Sequence, residues 1–173
     1  LGSEKNTNVK HLHISEEEIV SLEFEKSNEK PQKIFTIVGE GHHEDVFDED
    51  VLSHYSKMID TLIENDITPV LTLHHFTHPL WFDRLGAFEK KENISLFVSF
   101  CRRVFDEYSN KVEYWCTINE PAVVATQGYF SGMFPPGKKD SQLSVVVLKN
   151  LLEAHVQVYH ALKKMENGSK VKI

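Results

Sequence analysis

Three long stretches with apolar residues at every third and fourth position alternate with short β-rich runs. No other feature of this chain narrows its fold as much. Between about Glu49 and Asn65, Val51, Leu52, Tyr55, Met58, Ile59, Leu62 and Ile63 recur at three and four. That spacing predicts an amphipathic helix with one buried stripe, and Asp48 stands where an N-cap belongs. Ile94, Phe97, Val98, Cys101, Val104, Phe105 and Tyr108 line a second such helix over about 93–108. A third runs from about Ser141 to Met165. The short runs are 67–73 (ITPVLTL), with Pro69 near its start, 112–118, and Lys170-Val171-Lys172-Ile173 after the stop signal Asn167-Gly168. In 112–118, Val112, Tyr114, Cys116 and Ile118 share one face while Trp115 and Thr117 take the other. Such a strand is covered on both sides, as parallel strands are.

Helices alternating with strands imply βα units around a parallel sheet. The segments after the strands are long, roughly 74–92 and 119–140, and loops beyond about 12–15 residues usually carry function. A (β/α)₈ barrel builds its active face from such loops. A doubly wound sheet would announce itself with a glycine-rich phosphate turn, and none is present. A full barrel needs at least ~200 residues. The expectation is therefore a partial (β/α)₈ TIM barrel, roughly the first half, formed by 47–173 around strands near 67–74, 112–118 and 170–173.

Residues 1–46 read as a divergent or irregular segment. Ser15-Glu16-Glu17-Glu18-Ile19-Val20 has the pattern of a helix start, with Ser15 as N-cap and Glu18 placed for a capping box. Ile34, Phe35, Ile37 and Val38 form a short apolar run ended by Gly39, and 39–50 is acidic and loop-like. The chain begins with Leu1 and closes inside a strand, which predicts a piece of something larger. Half a barrel leaves two open sheet edges, an aggregation hazard unless it dimerises or 1–46 cover one.

The net charge of −7 over 173 residues, with no basic stripe, disfavours nucleic acid as a partner. No apolar run reaches the ~18 residues of a membrane span. The first thirty residues are mostly polar and show no signal peptide. The two cysteines, Cys101 and Cys116, sit in apolar patterns on different elements and read as free buried thiols. These features set the expectation of a cytoplasmic protein without a cofactor. The sequence specifies no oligomeric state.

Two strand ends carry the chemistry. The 112–118 run stops on Asn119-Glu120, and Pro121 cannot continue a ladder. An amide and a carboxylate are thereby held at a carboxyl end, where α/β sites are built. A solvated loop acid, or a first-turn acid favoured by the helix dipole, is the plain alternative. The other end reads Leu73-His74-His75-Phe76-Thr77-His78-Pro79-Leu80-Trp81-Phe82. Imidazoles beside aromatics suit a sugar, whose C–H faces stack on rings while its hydroxyls bond to His and Asn. A loop packed by its own aromatics is the simpler reading. Zinc on His74, His75 and His78, with His42 and His43, is a third. The helical H-E-x-x-H spacing is absent, however, and adjacent histidines on a strand point to opposite faces. Gln127-Gly128-Tyr129 and Gly132-Met133-Phe134-Pro135-Pro136-Gly137 read as a shaped loop beside the Glu.

From Phe47 to about Lys164 the chain resembles glycoside hydrolase family 1, the β-glucosidase-like retaining glycosidases. Thr72-Leu73-His74-His75-Phe76 resembles the family's T-L-x-H-W stretch, and Leu85-Gly86-Ala87-Phe88 its G-G-W/F stretch. Thr117-Ile118-Asn119-Glu120-Pro121 matches its T-x-N-E-P signature. Gly128-Tyr129 through Pro136-Gly137 resembles its G-Y-x-x-G-x-x-x-P-G loop, and Leu151-Leu152-Glu153-Ala154-His155 the helix that follows. The resemblance implies that Glu120 is the general acid that protonates the glycosidic oxygen, then the base that activates water. It implies that Asn119 bonds the 2-hydroxyl and His75 a glycone hydroxyl. Phe76 would line the sugar site where the family usually has Trp, a change that removes an N–H donor. Thr77 replaces a frequent Asp, and Trp81 and Tyr129 would be site-wall residues. The implied partner is a β-glycoside.

A retaining glycosidase needs a second carboxylate roughly 5–5.5 Å away, as nucleophile. In the family it lies in an E-N-G motif on a late strand. Glu166-Asn167-Gly168 carries those letters, but it closes the third helix and comes one βα unit after Glu120. It is read as a helix stop. The family's early Q-x-x-G is absent, and Ser21-Leu22-Glu23-Phe24 resembles only the start of its strand-two arginine stretch. The chain by itself is expected to be inactive. The alternative is a truncated or degenerate homologue that at most binds sugar weakly.

Overall fold

The computed structural model describes Phe47 and residues 49–173, and upstream of them the backbone of four short strands. These are β1 (Leu12–Ile14), β2 (Glu18–Val20), β3 (Leu22–Glu25) and β4 (Gln32–Thr36). After them come α1 (Glu49–Glu64), β5 (Pro69–Thr72), α2 (Leu80–Arg84), α3 (Ile94–Tyr108), β6 (Tyr114–Cys116), α4 (Pro121–Ala125) and α5 (Ser141–Lys163).

Strands β4, β5 and β6 pair in parallel, with Ile34 opposite Val70 and Val70 opposite Tyr114. Lys172 continues the row by a parallel bridge to Tyr114. Its carbonyl accepts from the Trp115 N–H at 2.8 Å, and its N–H donates to the Glu113 carbonyl at 2.7 Å. The expected strand at 170–173 is therefore present as a single bridge. The row is sequential, and each step is made through one long helix: α1, then α3, then α5. Right-handed crossovers in one direction put all three helices on the same side of the sheet. This is the winding of a (β/α)₈ barrel, whereas a doubly wound sheet reverses. The described chain is part of such a barrel. On the far side of β4, β3 pairs antiparallel.

The periodic residues form the core. Tyr55, Ile59, Val104, Phe105, Tyr108, Trp115, Leu151 and Val158 are all buried in one cluster. Tyr108 donates its hydroxyl to the Leu52 carbonyl at 2.8 Å, joining α3 to α1. Asp140 caps α5 by accepting from the N–H groups of Gln142 and Leu143. Asn150 and Ser144, buried on α5, donate to the Phe88 and Ala125 carbonyls at 2.8 and 2.9 Å. Those two bonds fasten the segments after β5 and β6 to the third helix.

Three expectations need correction. Glu18–Val20 is a strand paired antiparallel with Leu12–Ile14, and the predicted helix start at 15–20 is wrong there. Val20, Leu22 and Phe24 alternate with Ser21, Glu23 and Glu25, a period of two that outweighs the capping-box letters. The segment 74–92 is structured, with α2 and short 3₁₀ turns at Ala87–Glu89 and Lys91–Asn93. Gln127-Gly128-Tyr129 is helical, because α4 runs on into a π-helical turn at Thr126–Phe130. Gly128 is there for space, since a Cβ would stand 2.9 Å from the Pro135 carbonyl oxygen. The Asp48 cap and the residues Ser15, Ile37, Val38 and Gly39 lie outside the described residues.

Asn167-Gly168 behaves as a stop. Asn167 takes a left-handed φ of 65°, and a Cβ on Gly168 would run into the carbonyls of Leu162 and Lys163. Gly168→Ala is expected to destabilise the chain by about 2 kcal/mol. Urea unfolding measures it, and a change under about 0.5 kcal/mol, the range of neutral surface substitutions, would contradict the clash.

Candidate active site

Beyond the ends of β5 and β6 the two chains stay zipped together. The Leu73 N–H donates to the Cys116 carbonyl at 2.8 Å, and the Asn119 N–H to the His74 carbonyl at 2.8 Å. This brings 74–76 and 119–120 side by side at the carboxyl end of the parallel row.

The paired histidines divide as strand alternation requires. His74 turns into the core and is 3% exposed. Its ring meets Phe88 edge-on at 5.3 Å and Phe97 at 6.0 Å, and lies near-parallel to His78 at 6.0 Å. Neither ring nitrogen has a hydrogen-bond partner among the described residues. Burial, with help from nearby His78 and His75, lowers its pKa to about 3. His78 is also pushed down by burial, and its contact with Asp83 at 3.4 Å opposes that. His75 turns the other way, half-buried, with Nε2 3.4 Å from Asn119 Nδ2.

Glu120 follows Asn119 and is exposed. Its backbone is left-handed, at φ 46° and ψ 59°, and its carbonyl accepts from the Val123 and Val124 N–H groups to open α4. Pro121 occupies the first helical turn, where its missing N–H costs nothing. A left-handed conformation costs a non-glycine residue roughly 1–2 kcal/mol, and such strain gathers where a side chain must be aimed. Phe76 shares it, at φ 68°. At each strand end, then, the residue after the Asn119–His75 pair turns left-handed. The Glu120 carboxylate makes no hydrogen bond or ion pair among the described residues.

Of the residues named from sequence, His75, Phe76, Asn119 and Glu120 are brought together. Trp81 lies on α2, half-buried against Phe82 at 5.7 Å, with its indole N–H buried and unpartnered. Tyr129 is 2% exposed, and burial raises its hydroxyl pKa. Its ring belongs to the core, so it offers no open face as a wall of the site. Neither Trp81 nor Tyr129 makes a ring or hydrogen-bond contact with the four clustered residues. Three participants were not foreseen. Thr117, buried two residues before Asn119, bonds through Oγ1 to His155 Nδ1 at 2.7 Å and ties the strand end to α5. Phe88 is the floor under His74. Phe134 reaches Phe76.

Among the described residues no carboxylate is paired with Glu120 or left free to face it in the contacts the structure shows. Asp83 faces His78, and Glu89 is paired with Lys138 at 2.5 Å. Glu166 precedes the bridge at Lys172, so it lies at the amino end of the parallel row, opposite Glu120. Among the described residues no three His, Cys, Asp or Glu side chains gather as metal ligands, and His42 and His43 lie outside them.

Residues 35–173 match the family model of glycosyl hydrolase family 1. The 1,4-beta-D-glucan glucohydrolase of Thermotoga neapolitana is 32% identical over 122 residues, 70% of this chain and 29% of that protein. The 6-phospho-beta-galactosidase of Clostridium acetobutylicum is 36% identical over 123 residues, 70% of this chain and 26% of that one. The beta-glucosidase from Thermotoga maritima in complex with castanospermine superposes with a TM-score of 0.76 at 30% identity, covering 82% of this chain and 32% of that one. The chain thus spans about a third or less of the length of the relatives it matches. With the parallel row, the zipped strand ends and the match from residue 35 onward, the chain belongs to glycosyl hydrolase family 1.

Proposed function

We propose that this chain supplies the acid/base half of a site that hydrolyses β-O-glycosidic bonds by the retaining two-carboxylate route. The observation that carries this is Glu120, exposed and unpaired on a strained left-handed backbone directly after the Asn119–His75 pair. In this reading Glu120 protonates the glycosidic oxygen as the bond to the anomeric carbon breaks. It then takes a proton from the water that releases the sugar. Asn119 donates to the 2-hydroxyl, a contact that strengthens as positive charge develops on the ring. His75, held by Asn119, bonds a glycone hydroxyl, and Phe76 gives the sugar an apolar face. The solved Thermotoga maritima relative is a beta-glucosidase in complex with castanospermine, and this face is where we place a carbohydrate ligand here.

A second reading is favoured by the lack, among the described residues, of a carboxylate in contact with Glu120. The chain would then be a non-catalytic homologue that binds sugar. Both readings expect background hydrolysis from the chain alone. They separate when residues 35–173 replace the matching segment of the Thermotoga maritima beta-glucosidase. Turnover of an aryl β-glucoside by that chimera, lost on Glu120→Gln, supports the catalytic reading. A folded chimera without turnover supports the second.

A further inference from the structure

Phe76 carries no polar atom, so only packing can fix its ring. Its left-handed backbone, φ 68°, sends the side chain off the strand end. Two rings touch it. His75, its neighbour in sequence, lies at 4.9 Å with planes 73° apart. Phe134 meets it edge to face at 5.9 Å and 69°. Among the described residues Phe134 is thus the one ring from elsewhere in the chain against Phe76.

Phe134 is itself well anchored through its backbone. Its N–H donates to the Gln127 carbonyl at 3.0 Å, and its carbonyl accepts from the Gly137 N–H at 2.8 Å. The Lys138 N–H donates to the Gly128 carbonyl at 3.0 Å, and its ammonium pairs with Glu89. The loop is therefore fastened both to the turn that continues from α4 and to the segment after β5. Yet the residue is 42% exposed. What the ring does touch is Phe76, so its described aromatic contact is with the strand end and not with the core.

We propose that Phe134 is a positioning residue for the sugar site, acting through Phe76. Its edge-to-face contact holds the Phe76 ring as a fixed wall beside His75 and Asn119, so that a glycone meets a surface already in place. This rests on the reading of this face as a glycoside site. Phe76 has no polar atom to anchor it, and the clamp from Phe134 supplies the rigidity. An aromatic pair of this geometry has an effect of about three- to tenfold on an equilibrium.

The test is binding of methyl β-D-glucopyranoside to this chain, followed by NMR chemical-shift titration. That probe has no aryl group with which to touch Phe134 directly. Phe134→Ala is expected to weaken binding about three- to tenfold, and Phe134→Tyr to restore it. Phe76→Ala is expected to weaken it at least as much, and the double variant no further than Phe76→Ala alone. Phe134→Leu keeps apolar bulk at the rim and guards against a fold effect. It too should weaken binding while circular dichroism stays unchanged. Wild-type affinity in Phe134→Ala and Phe134→Leu, with weakened binding in Phe76→Ala, overturns the positioning role and leaves the glycoside site standing. Additive losses in the double variant overturn it as well. No binding by the wild-type chain overturns both the inference and the site on which it rests.

Discussion

In the chimera with the Thermotoga maritima beta-glucosidase, Glu120→Gln is expected to slow hydrolysis of an alkyl β-glucoside by about 10²–10⁴-fold. A dinitrophenyl β-glucoside should lose far less in the bond-breaking step. The reason lies in the leaving group. An alkoxide is a strong base and cannot depart without a proton, so the acid's contribution is largest there. A dinitrophenolate leaves unaided, and the missing proton matters little. The second half-reaction has no such escape, because water attacks poorly without a base. A small anionic nucleophile such as azide needs no base. It is therefore expected to accelerate the variant on the activated substrate and to give the glycosyl azide. Equal losses on both substrates would mean that Glu120 acts in binding or folding and is not the proton donor. The structure motivates the substitution because Glu120 is exposed and makes no ion pair among the described residues. Gln in its place breaks no described contact, and a kinetic loss reports on chemistry.

What could be read from the letters, and what could not, follows from how local each cause is. The three long helices were legible almost to their ends, because a stripe such as Ile94, Phe97, Cys101, Val104 and Tyr108 is a property of spacing alone. The Trp115 strand was legible for the same reason. The opposite fates of His74 and His75 followed from alternation. The short helices were not legible. The turn at Ala87–Glu89 and the start of α3 are held by Asn93, whose side chain donates to the Leu85 and Ala87 carbonyls at 3.2 and 2.9 Å. The π turn exists because Gly128 lets the chain pass against Pro135. Both causes are tertiary. Tyr129 was misjudged because a tyrosine among glycines and prolines looks like a rim residue, and only the fold shows it buried. Phe134 lies far along the chain from Phe76, so nothing in the sequence joined them. The carboxylate was found because a strand end is a local feature. Its surroundings come from loops that meet only in three dimensions.

Acid should unfold this chain through His74. An unfolded histidine titrates near 6.5, whereas burial among Phe88, Phe97 and His78 holds folded His74 at about 3. The unfolded state therefore binds the proton first. The stability carried by neutral His74 is complete above about pH 6.5 and is lost as pH falls from there toward 3, by about 1.4 kcal/mol per pH unit. His78, also lowered by burial, adds in the same direction, and its contact with Asp83 opposes it. At pH 4.5 the His74 contribution alone is expected to reach about 2–3 kcal/mol, a large share of a domain's stability. His74→Leu removes the titrating group and also two buried nitrogens that have no partner among the described residues. The variant should be at least as stable as the parent at pH 7.5 and should lose less on going to pH 4.5. Urea unfolding at the two pH values decides it. An equal drop in both proteins would place the acid sensitivity among the carboxylates. A variant less stable than the parent at pH 7.5 would mean that the His74 ring nitrogens have a partner. The effect would reach the proposed site directly, because the His74 carbonyl accepts the Asn119 N–H that zips the two strand ends beside Glu120. Because folded His74 stays neutral down to about pH 3, the proton is taken up on unfolding, and sugar binding and helix signal should be lost together in an acid titration.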